Sequence, residues 1–111
     1  MNKLFSNLLN SINGIKIVFK EHSFKIELIG GLFLIPYLIF IELENNFKLI
    51  IISAYFVLLA FELINTSIEK LSDKISKTFD EDIKEIKDLS SAAVFVVLIL
   101  LILLLTLTVF L

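Results

Sequence analysis

Apolar residues along this chain fall into one regularly spaced set and three near-continuous runs. Leu4, Leu8, Ile12, Ile15 and Phe19 recur at intervals of 4, 4, 3 and 4, and Lys3, Ser6, Asn10, Asn13, Lys16 and Lys20 take the opposing side. That spacing is helical, and lysines on the polar face suit a helix lying in the plane of a membrane surface. A helix packed on other protein carries the same pattern. Two apolar runs follow, 28–41 and 49–61, bounded by Glu27, Glu42, Lys48 and Glu62. The fourteen residues of the first rise only about 21 Å, so these runs must recruit flanking residues to cross a hydrocarbon core of about 30 Å. The last run, 92–111, has twenty residues without a charge and is long enough by itself. These patterns predict an all-α membrane protein forming one domain over 1–111. Its parts are an amphipathic surface helix at about 3–22, spans at about 26–43, 47–68 and 90–111, and a connector at 69–89.

Composition agrees. Of 111 residues, 58% are hydrophobic, and the mean hydropathy is +0.95. Three spans leave little chain for anything else, so the core has to be built between helices and between subunits. A net charge of −2 argues against a nucleic-acid partner. Cysteine is absent, which excludes a disulfide frame and a thiolate metal site. No cleavable signal peptide is expected, because the N-terminal hydrophobics are spaced and precede no small-residue cleavage site.

All ten basic residues are lysine, and their placement predicts an orientation. Lys3, Lys16, Lys20 and Lys25 precede the first span, five more lie in the connector, and only Lys48 lies between the first two spans. By the positive-inside rule the N-terminus and connector are cytoplasmic, and the C-terminus faces the other side.

The second span ends in a polar stripe. In FELINTSIEKLSDKI, Glu62, Asn65, Thr66, Glu69 and Asp73 share one side of a helix, while Leu63, Ile64, Ile68 and Leu71 take the other. Thirteen uncharged residues, 49–61, lead into it, which puts Glu62 at or inside the hydrocarbon edge. A carboxylate there costs about 2.5–3.5 kcal/mol on insertion scales and is read first as functional. Such a stripe can also be an oligomer seam, hydrogen-bonded across helices.

Candidate chemistry is that of carboxylates at the cytoplasmic surface, where ATP is. No phosphate-binding glycine loop exists, since Gly14, Gly30 and Gly31 are the only glycines. His22 lacks partners for zinc or a catalytic triad and reads as an interfacial polar residue. Glu21 and Glu69 can hold a hard cation through oxygens, and Mg²⁺ needs only one or two protein carboxylates. Glu21 can equally pair with Lys25 one turn later. Glu62, poorly solvated, suits a proton acceptor for a hydroxyl. Asn65 can orient a neighbour, and Lys87 can neutralise phosphate charge. Within the connector, 76–82 reads as a loop, and Asp82 as the cap of a short helix running towards Ser90, with Lys84 and Lys87 near Asp88.

The stripe E-L-I-N-T-S-I-E-K-L-S-D, followed by I-K-D-L-S-S-A-A-V, resembles the signature of the small integral-membrane diacylglycerol kinases of bacteria. Upstream, N-G-I-K-I-V-F-K-E-H-S-F-K-I-E resembles that family's surface-helix motif. The resemblance covers nearly the whole chain. It implies a homotrimer with active sites between subunits in the bacterial cytoplasmic membrane, transferring phosphate from MgATP to a lipid hydroxyl. Carried over by residue, it makes Glu62 the general base, Asn65 an active-site amide, and Glu21 and Glu69 the metal ligands. Lys87 and Asp88 become a nucleotide-binding pair, with Asp80 also on the nucleotide side. Glu27 and Asp73 become further functional acids, and Glu27, Glu62 and Ser91 lie against the lipid.

Lys20 and Lys25 stand where the family often has Arg, so bidentate phosphate contacts are lost there. Thr78, Phe79 and Asp80 replace an aromatic and a histidine common in relatives. Relatives of the same fold phosphorylate undecaprenol; Glu27 and the S-S-A-A-V segment are more similar to the diacylglycerol type. A structural alternative, a small three-span protein such as a holin, needs no joint role for Glu21, Glu62 and Glu69. It also usually carries a charged C-terminal tail, where this chain ends in TVFL.

Overall fold

A computed structural model of the chain describes residues 2–110 as four helices and no strand. They are α1 (Asn2–Val18), α2 (His22–Phe40), α3 (Asn45–Ile75) and α4 (Glu81–Phe110). Met1 and Leu111, the ends of the expected domain, lie outside the described residues; Leu111 also ends the expected third span. Three helices, α2, α3 and α4, are long and apolar enough to cross a membrane.

Helix α1 stops at Val18, short of the expected boundary at 22. The chain tightens there through Lys20 N–H to Ile17 O at 3.2 Å and Glu21 N–H to Val18 O at 2.9 Å. Glu21 is extended, with φ −81° and ψ 130°, and opens α2. Val18 is buried in this corner, and the Phe19 ring meets Phe24 edge-on at 5.8 Å.

Helix α3 runs on through the polar stripe to Ile75, because nothing in 62–75 breaks a helix. At 31 residues it is about 46 Å long, so its polar end projects beyond any 30 Å apolar layer. Within the expected connector 69–89, only 76–80 lies outside a helix. The short helix expected from Asp82 and the third span are one continuous helix of 30 residues, since no glycine or proline interrupts 81–110. Its cap is Asp80, not Asp82: Asp80 Oδ1 accepts the Ile83 N–H at 3.1 Å, the geometry of an N-cap. Asp82 falls instead within the first turn, where a carboxylate complements the helix dipole.

Helix α3 is the centre of the molecule. It packs most extensively against α4, then against α2, and its polar half meets α1. The buried core is Leu34 and Leu38 of α2, Ile51, Ala54, Tyr55 and Leu58 of α3, and Val97 and Leu101 of α4. The molecule is only 20 Å across its thinnest dimension, about two helix diameters. Most large apolar side chains, such as Phe33, Phe40, Phe56, Leu89 and Val96, are therefore exposed on a single chain. That is the surface of a protein whose solvent is lipid.

Candidate active site

The polar ends of α3 and α4 meet at one end of the molecule. Lys87 Nζ of α4 donates to Asp73 Oδ1 of α3 at 2.7 Å, and Lys84 Nζ donates to Asp88 Oδ2 at 2.6 Å along α4. The hydrogen bond from Lys87 to Asp73, and then that carboxylate's charge, raise the Lys87 pKa above its ordinary 10.5; Asp88 does the same for Lys84. Both stand on the exposed turns ahead of the uncharged run, and both are fixed cations at neutral pH. The sequence had placed Lys87 near Asp88; in the structure its partner is Asp73, fourteen residues back on the neighbouring helix.

Beside these pairs lies an open cleft of about 430 Å³, lined by Asp73, Ser76, Lys77, Thr78, Phe79, Asp80, Ile83, Lys84, Lys87 and Asp88. It combines three lysines with an exposed aromatic ring, the chemistry a phosphorylated heterocycle needs. Asp80 thus caps α4 and faces the cleft.

Deeper along α3 the stripe becomes enclosed. Glu62 is 8% exposed and Thr66 is buried with it. The carboxyl of Glu27, half-buried on α2, is a neighbour of the Glu62 carboxyl, and Glu27 Oε1 is buried without a partner. One turn on from Glu62, Asn65 Nδ2 donates to Glu69 Oε1 at 2.9 Å, while Asn65 Oδ1 is likewise buried and unpaired. Buried acceptors left unsatisfied are rare, and each of these two oxygens can still accept a hydrogen bond. Glu69 lies close enough to Lys87 to feel its charge, which joins this stripe to the cleft.

Glu21 sits at the α1–α2 turn, partly buried, and its side chain makes no cap hydrogen bond. Ion pairs among the described residues are Lys84–Asp88 and Lys87–Asp73, so Glu21 does not pair with Lys25. No three of His, Cys, Asp and Glu converge on a metal position among the described residues. The Glu69 carboxylate and Asn65 Oδ1 lie one turn apart on α3 and are oxygen donors of the type Mg²⁺ takes when water and phosphate fill its shell. Ser91 is exposed on α4, and His22 is exposed at the start of α2.

The structure therefore brings Glu27, Glu62, Asn65, Glu69, Asp73 and Lys87 to one end of the helix bundle. Sequence reasoning missed two partnerships, Glu27 with Glu62 and Asp73 with Lys87. It also missed Tyr55, whose hydroxyl donates to the Glu27 carbonyl oxygen at 2.9 Å. The available signal was Tyr55's position seven residues before Glu62, on the same helix face.

Across residues 9–110 the chain matches the model of the prokaryotic diacylglycerol kinase family. This chain belongs to that family. No curated protein matches it. Membership makes it a lipid kinase of the diacylglycerol and undecaprenol kinase family, and with three apolar helices it is a multi-pass membrane protein.

Proposed function

We propose that this protein transfers the γ-phosphate of MgATP to the hydroxyl of diacylglycerol, yielding phosphatidic acid and ADP. The observation that carries this reading is the buried Glu62 carboxyl beside Glu27, where the apolar half of α3 becomes polar. A lipid hydroxyl reaches that depth from the membrane, and a nucleotide reaches the adjoining cleft from water. Glu62 takes the hydroxyl proton as the new O–P bond forms and the bond from the γ-phosphorus to the bridging oxygen breaks, its electron pair leaving on ADP. Glu27 and Ser91 face the lipid. Lys87, Lys84, Asp88 and Asp80 surround the phosphates and the nucleotide.

Bound Mg²⁺ supplies neutralisation of phosphate charge, the main demand of phosphoryl transfer. Glu69, Asn65 Oδ1 and Glu21 are the residues that would hold it. Supporting the wider arrangement, α1 carries lysines on one side and exposed Leu4, Leu8, Ile12 and Ile15 on the other, as a helix lying on a membrane does. The assembly we propose is a homotrimer in the bacterial cytoplasmic membrane. Its N-terminus and the turn between α3 and α4 lie in the cytoplasm and its C-terminus on the far side.

The test is phosphorylation by the purified protein in mixed micelles, with MgATP and with diacylglycerol and undecaprenol offered side by side. Preferential transfer to diacylglycerol is expected. Preference for undecaprenol would move the acceptor and leave the site as described, and transfer to neither from well-folded protein would overturn the reading.

A further inference from the structure

Tyr55 is 7% exposed and sits in the core with Leu34, Leu38, Ile51 and Leu58. Its hydroxyl nevertheless ends on a polar atom of the next helix, the Glu27 carbonyl oxygen, at 2.9 Å. In a regular α-helix that carbonyl already accepts the N–H of Gly31. The phenol comes in at the same turn of backbone, and it can do so because Gly31 has no side chain. A Cβ at Gly31 would overlap both the hydroxyl and the ring of Tyr55, whereas one at Gly30 would meet open space. Gly31 does not have a positive φ, so the glycine serves close approach and not an unusual backbone conformation.

This notch has a definite place relative to the carboxyl pair. Tyr55 and Glu62 are seven residues apart on α3 and therefore on the same face. Gly31 and Glu27 are one turn apart on α2. Pinning the phenol into the glycine notch thus settles how high α2 stands against α3. At that height the Glu27 carboxyl comes within reach of Glu62. A slip of α2 by one residue moves its groups about 1.5 Å along the axis and turns them about 100°, which takes Glu27 away from Glu62.

We propose that Tyr55 and Gly31 are positioning residues: the notch they form sets the axial register of α2 on α3 and so holds the Glu27 and Glu62 carboxyls together. This rests on the lipid-kinase reading for its consequence in turnover, but not for its geometry. Tyr37 provides the contrast. Its hydroxyl also ties α2 to a neighbour, Thr108 of α4, at 2.7 Å, yet that tie lies two turns or more from the carboxyl pair.

The test has two readouts. The chain contains no cysteine, so Glu27→Cys with Glu62→Cys gives a unique thiol pair in the full-length protein. A short thiol-to-thiol crosslinker should join the pair when Tyr55 and Gly31 are native, with the linked peptides identified by mass spectrometry. Adding Tyr55→Phe or Gly31→Ala should cut the yield several-fold. With both acids restored, Tyr55→Phe should lower kcat by roughly tenfold to a hundredfold, the range a displacement of about 1 Å produces, while KM for ATP stays unchanged.

Gly31→Ala should act in the same direction, and the double variant should lose no more than the larger single loss, because both changes break one notch. Tyr37→Phe should leave kcat unchanged. The proposal is overturned if Tyr55→Phe keeps the crosslink, whatever happens to kcat; a lost crosslink with unchanged kcat would overturn its consequence for turnover. If the wild-type protein phosphorylates no lipid, the kinase reading fails instead, and the crosslink alone still decides the register.

Discussion

At the scale of single residues, burial separates side chains of like chemistry. Glu62 of α3 is buried, whereas Glu81, Asp82 and Glu85 are exposed carboxylates at the start of α4. Glu62→Gln keeps the shape and removes the proposed proton acceptor. Turnover is expected to fall by about 10² to 10⁴, the usual share of general-base catalysis, with the elution volume in detergent unchanged. Near-normal turnover would take the base role from Glu62. Glu69→Gln removes a charged oxygen donor and alters the partner of Asn65 Nδ2. The Mg²⁺ concentration for half-maximal activity should rise by about tenfold or more, since losing even an outer-shell partner of a metal has that effect. An unchanged Mg²⁺ titration would return Glu69 to a purely structural role in the helix seam. The polar stripe was legible because helical periodicity alone puts Glu62, Asn65, Thr66, Glu69 and Asp73 on one side. Which of those carboxyls meets another helix was not, since a face says nothing about its partner.

At the scale of elements, interruptions in the chain matter more than its apolar stretches. Helix α4 crosses the boundary between charged and uncharged sequence at 88–92 without a break. The sequence suggested a separate short helix running from Asp82 towards Ser90, ahead of the uncharged run. Composition does not end a helix; glycine, proline or a competing cap does, and none occurs between Glu81 and Phe110. The break lies earlier, at 76–80, where Asp80 caps the helix. Asp80→Ala should cost about 0.5–2 kcal/mol of local stability. The loss would be read as faster amide exchange in the first turn of α4, with the apolar part of the helix unaffected. Equal exchange in both proteins would show that the cap contributes nothing. Helix α1 gives the complementary case: its apolar spacing continues to Phe19, but the chain bends after Val18 because two tightened turn hydrogen bonds lead it into the extended residue Glu21.

At the scale of the molecule, three apolar helices joined by two short turns place 41–44 at one end and 76–80 at the other. The absence of cysteine makes the topology directly measurable. With a membrane-impermeant maleimide and intact cells, Asn45→Cys should label from outside, and Thr78→Cys only after lysis. The reverse pattern would invert the orientation, and labelling of both from one side would overturn the three-span arrangement. Local periodicity and run length determined the all-helical class, the three apolar helices and the polar stripe, because each depends on the spacing of residues within one segment. Only the tertiary structure decided that Glu27 stands beside Glu62, that Lys87 is held by Asp73, and that Tyr55 reaches into the gap left by Gly31. Those pairings depend on the relative height and rotation of two helices, and side-chain packing between them settles both.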